Sequence, residues 1–409
     1  MNGQRYAQIT GWGMYVPERV LTNQDLARLI DTSDEWIFSR TGIRERHIVV
    51  DERETTASMA LRAARAALRV ADINPHEIAL VIVATATPEY SFPSTASLVQ
   101  DALGAVNAGA FDLSAGCSGF IYALSLATDV IRAGSAEHVL VIGSETLSRI
   151  TDWTDRNTCV LFGDGAGAVV LSAHNERCGV LASSLGSDGS GAELLMVPAG
   201  GSHMPASHES ISSGSHYIKM SGREVFRFAT TVIPKATEAV VRKAGWQLAD
   251  LAQVIPHQAN MRIIDSAVKR LGLPPERFFV NLDRYGNTSA ASIPIALCEA
   301  IAGGRIKAGD KLVLVAFGAG LTWAAAAVEW GLPMPLKPKP WWRRWLSSFL
   351  FVWAGIRSIA RRTERYLDNW VMGSFDQEDL HGQPRQLTGR RREQGEEDGG
   401  REENEKPSS

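Results

Sequence analysis

The hydrophobic residues of this chain form two alternating kinds of run over its first 330 positions. Stretches that are apolar on both faces predict buried strands, at 78–87, 138–145, 167–173 and 311–318. Apolar residues at helical spacing predict helices, at 57–71, 124–133, 223–244 and 262–271. This alternation is typical of proteins built from βαβ units, and it predicts an α/β fold.

The pattern also repeats within the chain. Three pairs of segments match in the same order, at an offset of about 170 to 175 residues. The pairs are 64–88 with 238–259, 111–120 with 280–289, and 132–144 with 306–318. Such a repeat indicates that one βαβ-rich unit has been duplicated. We therefore expect two halves, 1–179 and 180–330.

The alternation stops beyond Trp330, where three further segments are predicted. Residues 331–340 are a Pro-rich linker. Residues 341–372 form an amphipathic helix rich in Trp and Arg. The charged, aromatic-poor stretch 373–409 is expected to be disordered. Three hypotheses stay open for 341–371, namely peripheral contact with a membrane surface, packing against a protein, and disorder.

Composition and charge exclude several classes of protein. The 409 residues are 45% hydrophobic and 21% charged, as in ordinary globular enzymes. The net charge is -3, and the residues beyond Gly331 contribute 14 basic and 12 acidic side chains. The first 330 residues are therefore net acidic, which argues against nucleic-acid binding.

The four cysteines are far apart and form no CxxC pair, which argues against a zinc site or a disulfide framework. The first residues lack the apolar core of a signal peptide, and no run of about 20 apolar residues exists. We therefore expect a cytoplasmic protein without a resident metal. The segment GDGAGA (163–168) lacks the GxxxxGK frame of a phosphate-binding loop, so we interpret it as a closely packed turn.

Cys117 is the first candidate for chemistry, because SAGCSGF lies between a predicted strand and a predicted helix. A cysteine at a helix N-terminus experiences unpaired backbone N–H groups, which lower its pKa and favour a nucleophilic thiolate. The alternative is a small buried residue in a strand-to-helix turn. By contrast, Cys159 and Cys298 lie in apolar runs and are expected to be inert core thiols.

His257 and Asn287 occupy comparable places in the second half. Each follows a predicted strand, where α/β folds bind their ligands. A structural histidine and a helix-capping asparagine are the alternatives. Because the duplication brings matching strand ends together, Cys117 would meet both residues. A thiolate with two hydrogen-bond donors suits thioester chemistry.

At this point the sequence resembles the β-ketoacyl-acyl-carrier-protein synthase III family, the thiolase-fold condensing enzymes that start bacterial fatty-acid synthesis. The resemblance covers residues 6–330 and rests on six blocks in order. The blocks are TSDEWIFSRTGIRERH (32–47), SAGCSGF (114–120), FGDGAGA (162–168), PHQANMRII (256–264), GNTSAAS (286–292) and FGAGLTW (317–323). It implies two duplicated halves that form an αβαβα layered core.

The resemblance also implies the reaction and its catalytic residues. Cys117 would attack an acyl-CoA thioester, with acetyl-CoA as the expected primer, and retain the acyl group. His257 and Asn287 would stabilise the enolate that malonyl-acyl carrier protein forms when it loses CO2. The backbone N–H groups of Cys117 and Ala319 would form the oxyanion hole, although Ala319 stands where a glycine is often found. No cofactor is implied, since the CoA thioester is a substrate.

Further contacts follow from the resemblance. The CoA-binding positions would be Thr32, Trp36, Arg40, Arg156, Gly222 and Asn260. Trp36 would stack on the adenine, and Arg40 and Arg156 would bind the phosphates. A surface helix is the alternative for Trp36 and Arg40. Phe92 would reach across a homodimer interface to close the acyl pocket.

A basic face for the acidic carrier protein is expected at Arg227, Arg262, Lys269 and Arg270. The alternative for these four residues is an ordinary solvated helix face. Three competing functions remain. One is an acyl-CoA condensing enzyme of polyketide or secondary metabolism, and another is a non-catalytic scaffold tethered by its tail. A thiolase is the third, but thiolases carry a second catalytic cysteine in the last glycine loop, where this chain has Ala319.

Overall fold

The computed structural model describes residues 4–332, 353, 356–361, 363–365 and 367. Thirteen strands are found in this part of the chain: β1 (Tyr6–Tyr15), β2 (Val20–Thr22), β3 (Glu45–His47), β4 (Leu80–Ala84), β5 (Gly109–Leu113), β6 (His138–Glu145), β7 (Gly165–His174), β8 (Gly179–Ser187), β9 (Leu195–Met196), β10 (Lys219–Met220), β11 (Leu251–Pro256), β12 (Lys311–Gly318) and β13 (Thr322–Glu329). Ten numbered helices accompany them: α1 (Asn23–Leu26), α2 (Asp34–Thr41), α3 (Thr56–Ala71), α4 (Thr95–Leu103), α5 (Gly119–Arg132), α6 (His208–Ser212), α7 (Gly222–Lys243), α8 (Met261–Leu271), α9 (Leu282–Tyr285) and α10 (Ser292–Ala302).

Two mixed sheets dominate the architecture. The first has the strand order β1-β7-β6-β4-β5 and the second has the order β8-β13-β12-β11. In each sheet the later strands pair in parallel, β4 with β5 and β6, and β11 with β12. The remaining pairs are antiparallel. The two sheets thus share one topology, as the internal repeat predicts.

The second sheet lacks a full counterpart of β5. At the corresponding position the chain makes a single parallel bridge between Val254 and Phe278, and the Phe279 N–H donates to the Val254 carbonyl at 2.9 Å. The segment that follows leads to Asn287, just as β5 leads to Cys117. The second half therefore follows the same chain path as the first, although its fifth strand is reduced to a single bridge.

The buried side chains explain the layers. Along β12, Leu312, Leu314 and Ala316 pack in the core that contains α5 and α10. Val313 and Val315 alternate with them and pack in the core that contains α7 and α8. The first sheet alternates in the same way between the central helices and an outer layer of α3 and α4. Because strand side chains alternate between faces, each sheet is apolar on both sides. The predicted α/β thiolase fold with an αβαβα core is confirmed.

The predicted strands and helices are present, with one instructive shift. We predicted a helix over 124–133, but α5 begins at Gly119, directly after the turn that carries Cys117. Phe120, Ile121 and Ala123 in its first turns are all buried, so no amphipathic stripe marks the start. The shift matters because it places the helix N-terminus beside the cysteine.

The described residues up to Ser358 belong to one compact unit, and those from Ile359 onward belong to a second. The boundary between the halves at 179 and 180 stays a prediction. The predicted linker from 333 onward, most of the Trp/Arg-rich segment and the tail 373–409 lie outside the described residues. Within the described part, residues 356–361 are helical.

Candidate active site

The candidate residues lie at the carboxyl ends of the parallel strands. Cys117 follows β5 in a short 3₁₀ turn, Gly116–Ser118. His257 follows β11 directly. Asn287 precedes a second 3₁₀ turn, Ser289–Ala291, which leads into α10. These strand ends are where α/β sheets bind ligands.

Close backbone packing holds the Cys117 turn against the end of β12. A Cβ atom added to Gly318 would lie 2.5 Å from the Cys117 nitrogen, and one added to Gly116 would lie 2.8 Å from the Ala319 nitrogen. Gly116 also has a φ of 51°, in the left-handed region that glycine tolerates best. Only glycines at these two positions let the Cys117 and Ala319 backbones approach each other.

Alanine at position 319, where a glycine is often found, causes no backbone strain. Among the described residues, the non-glycine residues with positive φ are Asp72 and Ser289. Ala319 is not one of them, so its N–H is available as a hydrogen-bond donor without the strain that a Cβ meets at positive φ. The Thr322 hydroxyl lies 3.0 Å from the carbonyl oxygens of both Ala115 and Ala319, so its single O–H can donate to either and hold the loop.

The expected lowering of the Cys117 pKa is wrong. Cys117 is only partly accessible, and burial raises the pKa of its thiol to about 12. The nearby Glu145 carboxylate also raises this pKa, while a hydrogen bond from Ser289 lowers it. Desolvation of the thiolate is the largest of these effects.

His257 is buried and neutral. Burial lowers the pKa of its imidazole to about 3, so the ring carries no charge at physiological pH. Its Nδ1 lies 2.6 Å from the Ser292 hydroxyl, at the start of α10. Its ring meets that of Phe317 edge to face at 5.4 Å between centroids. A hydroxyl that donates to Nδ1 leaves the ring proton on Nε2, where it can be donated onward.

Asn287 is anchored through both its backbone and its side chain. Its N–H donates to the Leu161 carbonyl at 2.8 Å, and its carbonyl accepts from the Gly163 N–H at 3.0 Å. Its side-chain oxygen accepts from the Ser289 N–H at 2.9 Å. With the oxygen occupied, the amide nitrogen remains as a donor. The turn from Asn287 to Ser292 therefore orients the asparagine and, through Ser292, the histidine.

Glu145 is a site residue that our sequence reasoning missed. This last residue of β6 is fully buried, and one oxygen accepts from the Thr87 hydroxyl at 2.7 Å and the Thr87 N–H at 3.1 Å. Burial raises the pKa of this carboxyl. The only signal in the sequence is a glutamate that closes an apolar strand, HVLVIGSE, without a basic partner.

Part of the predicted CoA-binding set forms a cluster on the surface. The guanidinium carbons of Arg40 and Arg156 lie 4.5 and 4.8 Å from the centre of the Trp36 ring. The Asn260 amide donates to the Arg40 carbonyl at 3.0 Å, which joins this cluster to the start of α8. Arg156 also donates to the Asp31 carbonyl at 2.9 Å.

The other two predicted CoA-binding positions are Thr32 and Gly222. Thr32 has a buried hydroxyl without a hydrogen-bond partner among the described residues. Gly222 begins α7 and contacts only Met220 at the position of a Cβ, at 3.8 Å. The structure thus brings together Trp36, Arg40, Arg156 and Asn260 but does not link Gly222 to them.

Phe92 is 88% exposed, in the loop between β4 and α4. Residues 86–89 at the start of the same loop line a cavity of about 570 Å³. Residues 55 and 56 and several residues between 146 and 150 and between 197 and 217 form the rest of its lining. The cavity therefore lies beside Ala86 and Thr87, which bind Glu145.

The four predicted docking residues are exposed on two packed helices. Arg227 lies on α7, and Arg262, Lys269 and Arg270 lie on α8. The Arg262 guanidinium lies 5.4 Å from the centre of the Phe226 ring. Both helices belong to the outer layer of the second sheet, and α8 is the helix that Asn260 caps.

Other sequence features have structural roles. A Cβ on Gly167 would lie 2.7 Å from Pro294 of α10, so GDGAGA is a closely packed segment, as predicted. Cys159 and Cys298 are buried free thiols. Within the described part of the chain, no group of His, Cys, Asp and Glu side chains is arranged to hold a metal ion.

Few residues of the Trp/Arg-rich segment are described. Among them, Trp353, Ile356, Ile359 and Leu367 are exposed, and Ser358 is buried and donates to the Asp101 carboxylate. No helix in the described residues has the length and apolar character needed to cross a membrane.

Comparisons with known proteins match both halves of the chain. The family model described as 3-oxoacyl-[acyl-carrier-protein (ACP)] synthase III matches residues 111–189. The model described as the C terminal part of that synthase matches residues 241–330. The first model covers Cys117, and the second covers His257 and Asn287.

Individual relatives agree with the family models. A β-ketoacyl-[acyl-carrier-protein] synthase III of Symbiobacterium thermophilum is 57% identical over 323 residues, which are 79% of this chain and 98% of that protein. The crystal structure of 3-oxoacyl-[acyl-carrier-protein] synthase III from Aquifex aeolicus has a TM-score of 0.73 and 49% identity, with coverage of 79% and 99%. The priming β-ketosynthase of the R1128 polyketide pathway has a TM-score of 0.75 and 37% identity, with coverage of 81% and 98%.

Proposed function

Because this chain belongs to the β-ketoacyl-acyl-carrier-protein synthase III family, we propose that Cys117, His257 and Asn287 are its catalytic residues. The protein is an acyltransferase of fatty-acid synthesis. It condenses an acyl-CoA with malonyl-acyl carrier protein and releases CoA and CO2. The observation that supports our assignment most directly is the turn 287–292, which orients both donors beside the Cys117 turn.

In the first half-reaction, the Cys117 sulfur attacks the thioester carbonyl of the acyl-CoA. The negative charge that develops on the carbonyl oxygen is stabilised by the N–H groups of Cys117 and Ala319, and CoA leaves. The close approach of Gly318 to the Cys117 nitrogen supports this oxyanion hole. Preorganised donors act strongly where charge develops, and removal of one typically slows a reaction about 10²- to 10³-fold.

In the second half-reaction, the malonyl thioester loses CO2 and its oxygen becomes an enolate. His257 Nε2–H and the Asn287 amide donate to this oxygen. The neutral imidazole and the occupied asparagine oxygen support these roles, because each group is left with a donor directed away from its anchor. The enolate carbon then attacks the acyl group on Cys117 and gives the 3-oxoacyl product. No resident cofactor takes part in this scheme.

The Trp36 cluster is the proposed binding site for the nucleotide end of CoA. The indole provides a face for the adenine, and Arg40 and Arg156 provide positive charge for the phosphates. Thr32, Gly222 and Asn260 would line the channel that leads from this cluster to Cys117. The unpartnered Thr32 hydroxyl is consistent with a polar ligand at that position.

Arg227, Arg262, Lys269 and Arg270 form the proposed docking face for acyl carrier protein. Their exposure on α7 and α8 supports this proposal, because exposed basic side chains attract an acidic partner. The first 330 residues as a whole are net acidic, so a local cluster of basic residues would mark out this face. The face continues from Asn260, so the carrier would enter on the same side as CoA.

A homodimer is supported by two exposed features. β5 is an edge strand of the first sheet, and Phe111 on it is 39% exposed. Unpaired edge strands are natural sites for strand pairing between copies. Phe92 is 88% exposed in one chain and would close the partner's acyl pocket. Sedimentation velocity tests the dimer, and a monomer at micromolar concentration would contradict this proposal.

The primer that we propose is acetyl-CoA. The polyketide priming ketosynthase among the structural relatives supports the alternative of a different acyl-CoA in secondary metabolism. A direct test is intact-protein mass spectrometry after exposure to a panel of acyl-CoAs, followed by malonyl-acyl carrier protein. A mass gain on Cys117 that disappears into a 3-oxoacyl carrier product supports the catalytic assignment and identifies the primer. No mass gain with any acyl-CoA would contradict it.

The same assay separates the roles of the three residues. His257→Ala and Asn287→Ala variants are expected to be acylated on Cys117 but to leave the acyl-enzyme unconsumed when malonyl-acyl carrier protein is added. Normal product formation by either variant would contradict its assigned role.

For residues 341–371 we propose peripheral contact with an anionic membrane surface. Exposed Trp353, Ile356, Ile359 and Leu367 support this proposal, together with six arginines and two acidic residues between 341 and 371. Flotation with anionic vesicles, compared between the full chain and a 1–331 truncation, tests it. Equal flotation of both proteins would contradict membrane contact.

A further inference from the structure

Asn287 is held in place by the segment 160–163, which is distant from it in the chain. The Asn287 N–H donates to the Leu161 carbonyl at 2.8 Å, and the Asn287 carbonyl accepts from the Gly163 N–H at 3.0 Å. These bonds form a single parallel bridge between Phe162 and Asn287, outside the named strands. A single bridge lacks the repeated pairing of a sheet. The position of Asn287 therefore depends on what else holds the segment 160–163.

Arg46, in β3, is fully buried and bonds directly to this segment. Its Nη2 donates to the Val160 carbonyl at 2.6 Å. A Cβ atom added to Gly163 would lie 3.0 Å from the Arg46 Cβ, and one added to Gly286 would lie 3.2 Å from it. Arg46 therefore packs against both chains of the bridge, beside Gly163 and beside the residue that precedes Asn287.

The other terminal nitrogen of the guanidinium binds the region that leads into α2. Nη1 donates to the Asn23 side-chain oxygen at 2.9 Å and to the Leu21 carbonyl at 3.3 Å. The Asn23 amide donates in turn to the Asp34 carboxylate at 2.8 Å. Asp34 is the first residue of α2, the helix that carries Trp36. The arginine thus joins the proposed CoA-binding helix to the segment that holds Asn287.

Stability alone does not favour an arginine at this position. All hydrogen-bond partners of Arg46 among the described residues are neutral oxygens, and its buried Nε has no partner there. Burying a charge without an opposite charge beside it is costly, and a well-packed apolar side chain avoids that cost. The property that arginine adds is a rigid plane of donors, which can bond to two chain segments at once.

We propose that Arg46 is a positioning residue for Asn287, because it fixes the segment 160–163 and thereby the amide that donates to the enolate. Arg46 acts through the backbone around Asn287 and does not itself bind the enolate. The proposal rests on the proposed function, in which Asn287 acts in condensation and not in acylation. The loss of Arg46 is therefore expected to slow the second half-reaction selectively.

The test variant is Arg46→Met, which keeps an unbranched side chain and removes every donor of the guanidinium. At saturating acyl-CoA, Cys117 is expected to be acylated at nearly the wild-type rate. Condensation with malonyl-acyl carrier protein is expected to slow about 10- to 100-fold, because misplacing a reacting group by about 1 Å typically costs about 100-fold. Saturation removes any change in the KM for acyl-CoA that reaches α2 through Asn23. Rapid quench with intact-protein mass spectrometry measures both steps.

A second measurement detects the displacement without any turnover. Hydrogen exchange of the full chain, analysed by peptide mass spectrometry, reports on the bonds that join 161–163 to Asn287. In Arg46→Met, exchange in the peptides that contain 161–163 and 286–289 is expected to accelerate about tenfold more than exchange in α10, since a hydrogen bond to a charged group has been lost. The α10 peptides report on general destabilisation. Equal acceleration in all of these peptides would contradict the positioning role.

Two matched controls test whether the effect is specific. Arg132→Met also removes an arginine that donates to two backbone carbonyls, at 2.7 and 3.0 Å. Arg132 is the last residue of α5, at the opposite end of that helix from Cys117. Asn23→Ala removes the partner of Nη1 and keeps the contact of Nη2 with Val160. Both variants are expected to condense at nearly the wild-type rate at saturating acyl-CoA.

Arg46→Lys provides a milder change at the same position. Lysine keeps the charge but has a single nitrogen, which cannot bond to two segments from a rigid plane. Arg46→Lys is expected to slow condensation less than Arg46→Met does, and it supplies the test if Arg46→Met does not fold. Equal slowing of acylation and condensation in the Arg46 variants, wild-type condensation in both of them, or an equal loss in Arg132→Met would overturn the proposal.

The two measurements separate this proposal from the proposed function. If Asn287→Ala fails to condense while both Arg46 variants condense normally, only the positioning role is contradicted. If no acyl-CoA acylates wild-type Cys117, or if Asn287→Ala condenses normally, the proposed function of that residue is contradicted. In that case hydrogen exchange still tests whether Arg46 holds Asn287 in place.

Discussion

Replacing Ser292 by alanine removes one oxygen atom from the site and leaves the proposed catalytic residues in place. The Ser292 hydroxyl lies 2.6 Å from His257 Nδ1, and both residues are buried. In the proposed condensation, His257 must carry its proton on Nε2 to donate to the enolate. The hydroxyl that donates to Nδ1 favours this tautomer, so Ser292→Ala is expected to weaken the donor without changing the charge of the ring.

The size of the effect follows from the single lost hydrogen bond. A neutral hydrogen bond contributes about 1 kcal/mol, and about 1.4 kcal/mol corresponds to a factor of about ten in rate. Condensation is therefore expected to slow roughly 5- to 10-fold. Leaving a buried acceptor unpaired is expected to lower the free energy of unfolding by about 1–3 kcal/mol. Acylation of Cys117 does not use His257 and is expected to keep its rate.

The assay follows the two half-reactions separately by rapid quench and intact-protein mass spectrometry. Ser125→Ala is the matched control, since Ser125 is also buried and its hydroxyl lies 2.6 Å from that of Ser183, away from the site. The control is expected to lose stability without a selective loss of condensation. Equal slowing of acylation and condensation in Ser292→Ala, or condensation at the wild-type rate, would refute the tautomer argument.

Other predictions use the same assays. Because burial lowers the pKa of His257 to about 3, the imidazole stays neutral from about pH 5 to about pH 8; a condensation rate with a histidine-like pKa near 6.5 that His257→Ala abolishes would contradict this. Cys117→Ala is expected to abolish acylation while unfolding by urea at nearly the wild-type midpoint; acylation elsewhere on the chain would contradict the assigned nucleophile. Trp36→Ala is expected to raise the KM for acyl-CoA about tenfold with little change in kcat, since one aromatic contact contributes roughly 0.5–2 kcal/mol; an unchanged KM would remove Trp36 from the CoA site. Arg262→Glu is expected to raise the KM for malonyl-acyl carrier protein at least about fivefold at low salt, with less effect at high salt; Arg69→Glu on α3 is the charge-matched control, and equal effects of the two variants would contradict a local docking face.

Much of the fold was accessible from the sequence because its signals are local or repeated. Strands such as β6 and β12 are continuous apolar runs, and the duplication indicates which strand ends correspond. The start of α5 was missed because its first residues are buried, so no polar face marks where the helix begins. The reduction of the fifth strand to one bridge at Phe278 was also missed, since it depends on strand pairing at the edge of the second sheet.

The site was only partly accessible for a different reason. The motif around Cys117 indicates a nucleophile, but the pKa of its thiol depends on burial by residues far along the chain. The helix N-terminus is visible in the local sequence, whereas the desolvation that raises this pKa is not. Glu145 was missed for the same reason, since its hydrogen-bond partner Thr87 is 58 positions away from it. Only the folded chain joins these residues.

The central layer of the fold has a consequence for the time scale on which the site can open. Cys117 precedes α5, and the 287–292 turn leads into α10, the two helices enclosed between the sheets. Segments buried in this way exchange their amide hydrogens only in large-scale unfolding events. Both turns that carry the proposed catalytic residues therefore adjoin the slowest-exchanging part of the molecule. Heat or denaturant should abolish activity in the same transition that melts the two sheets, with no earlier stage at which the site alone has opened.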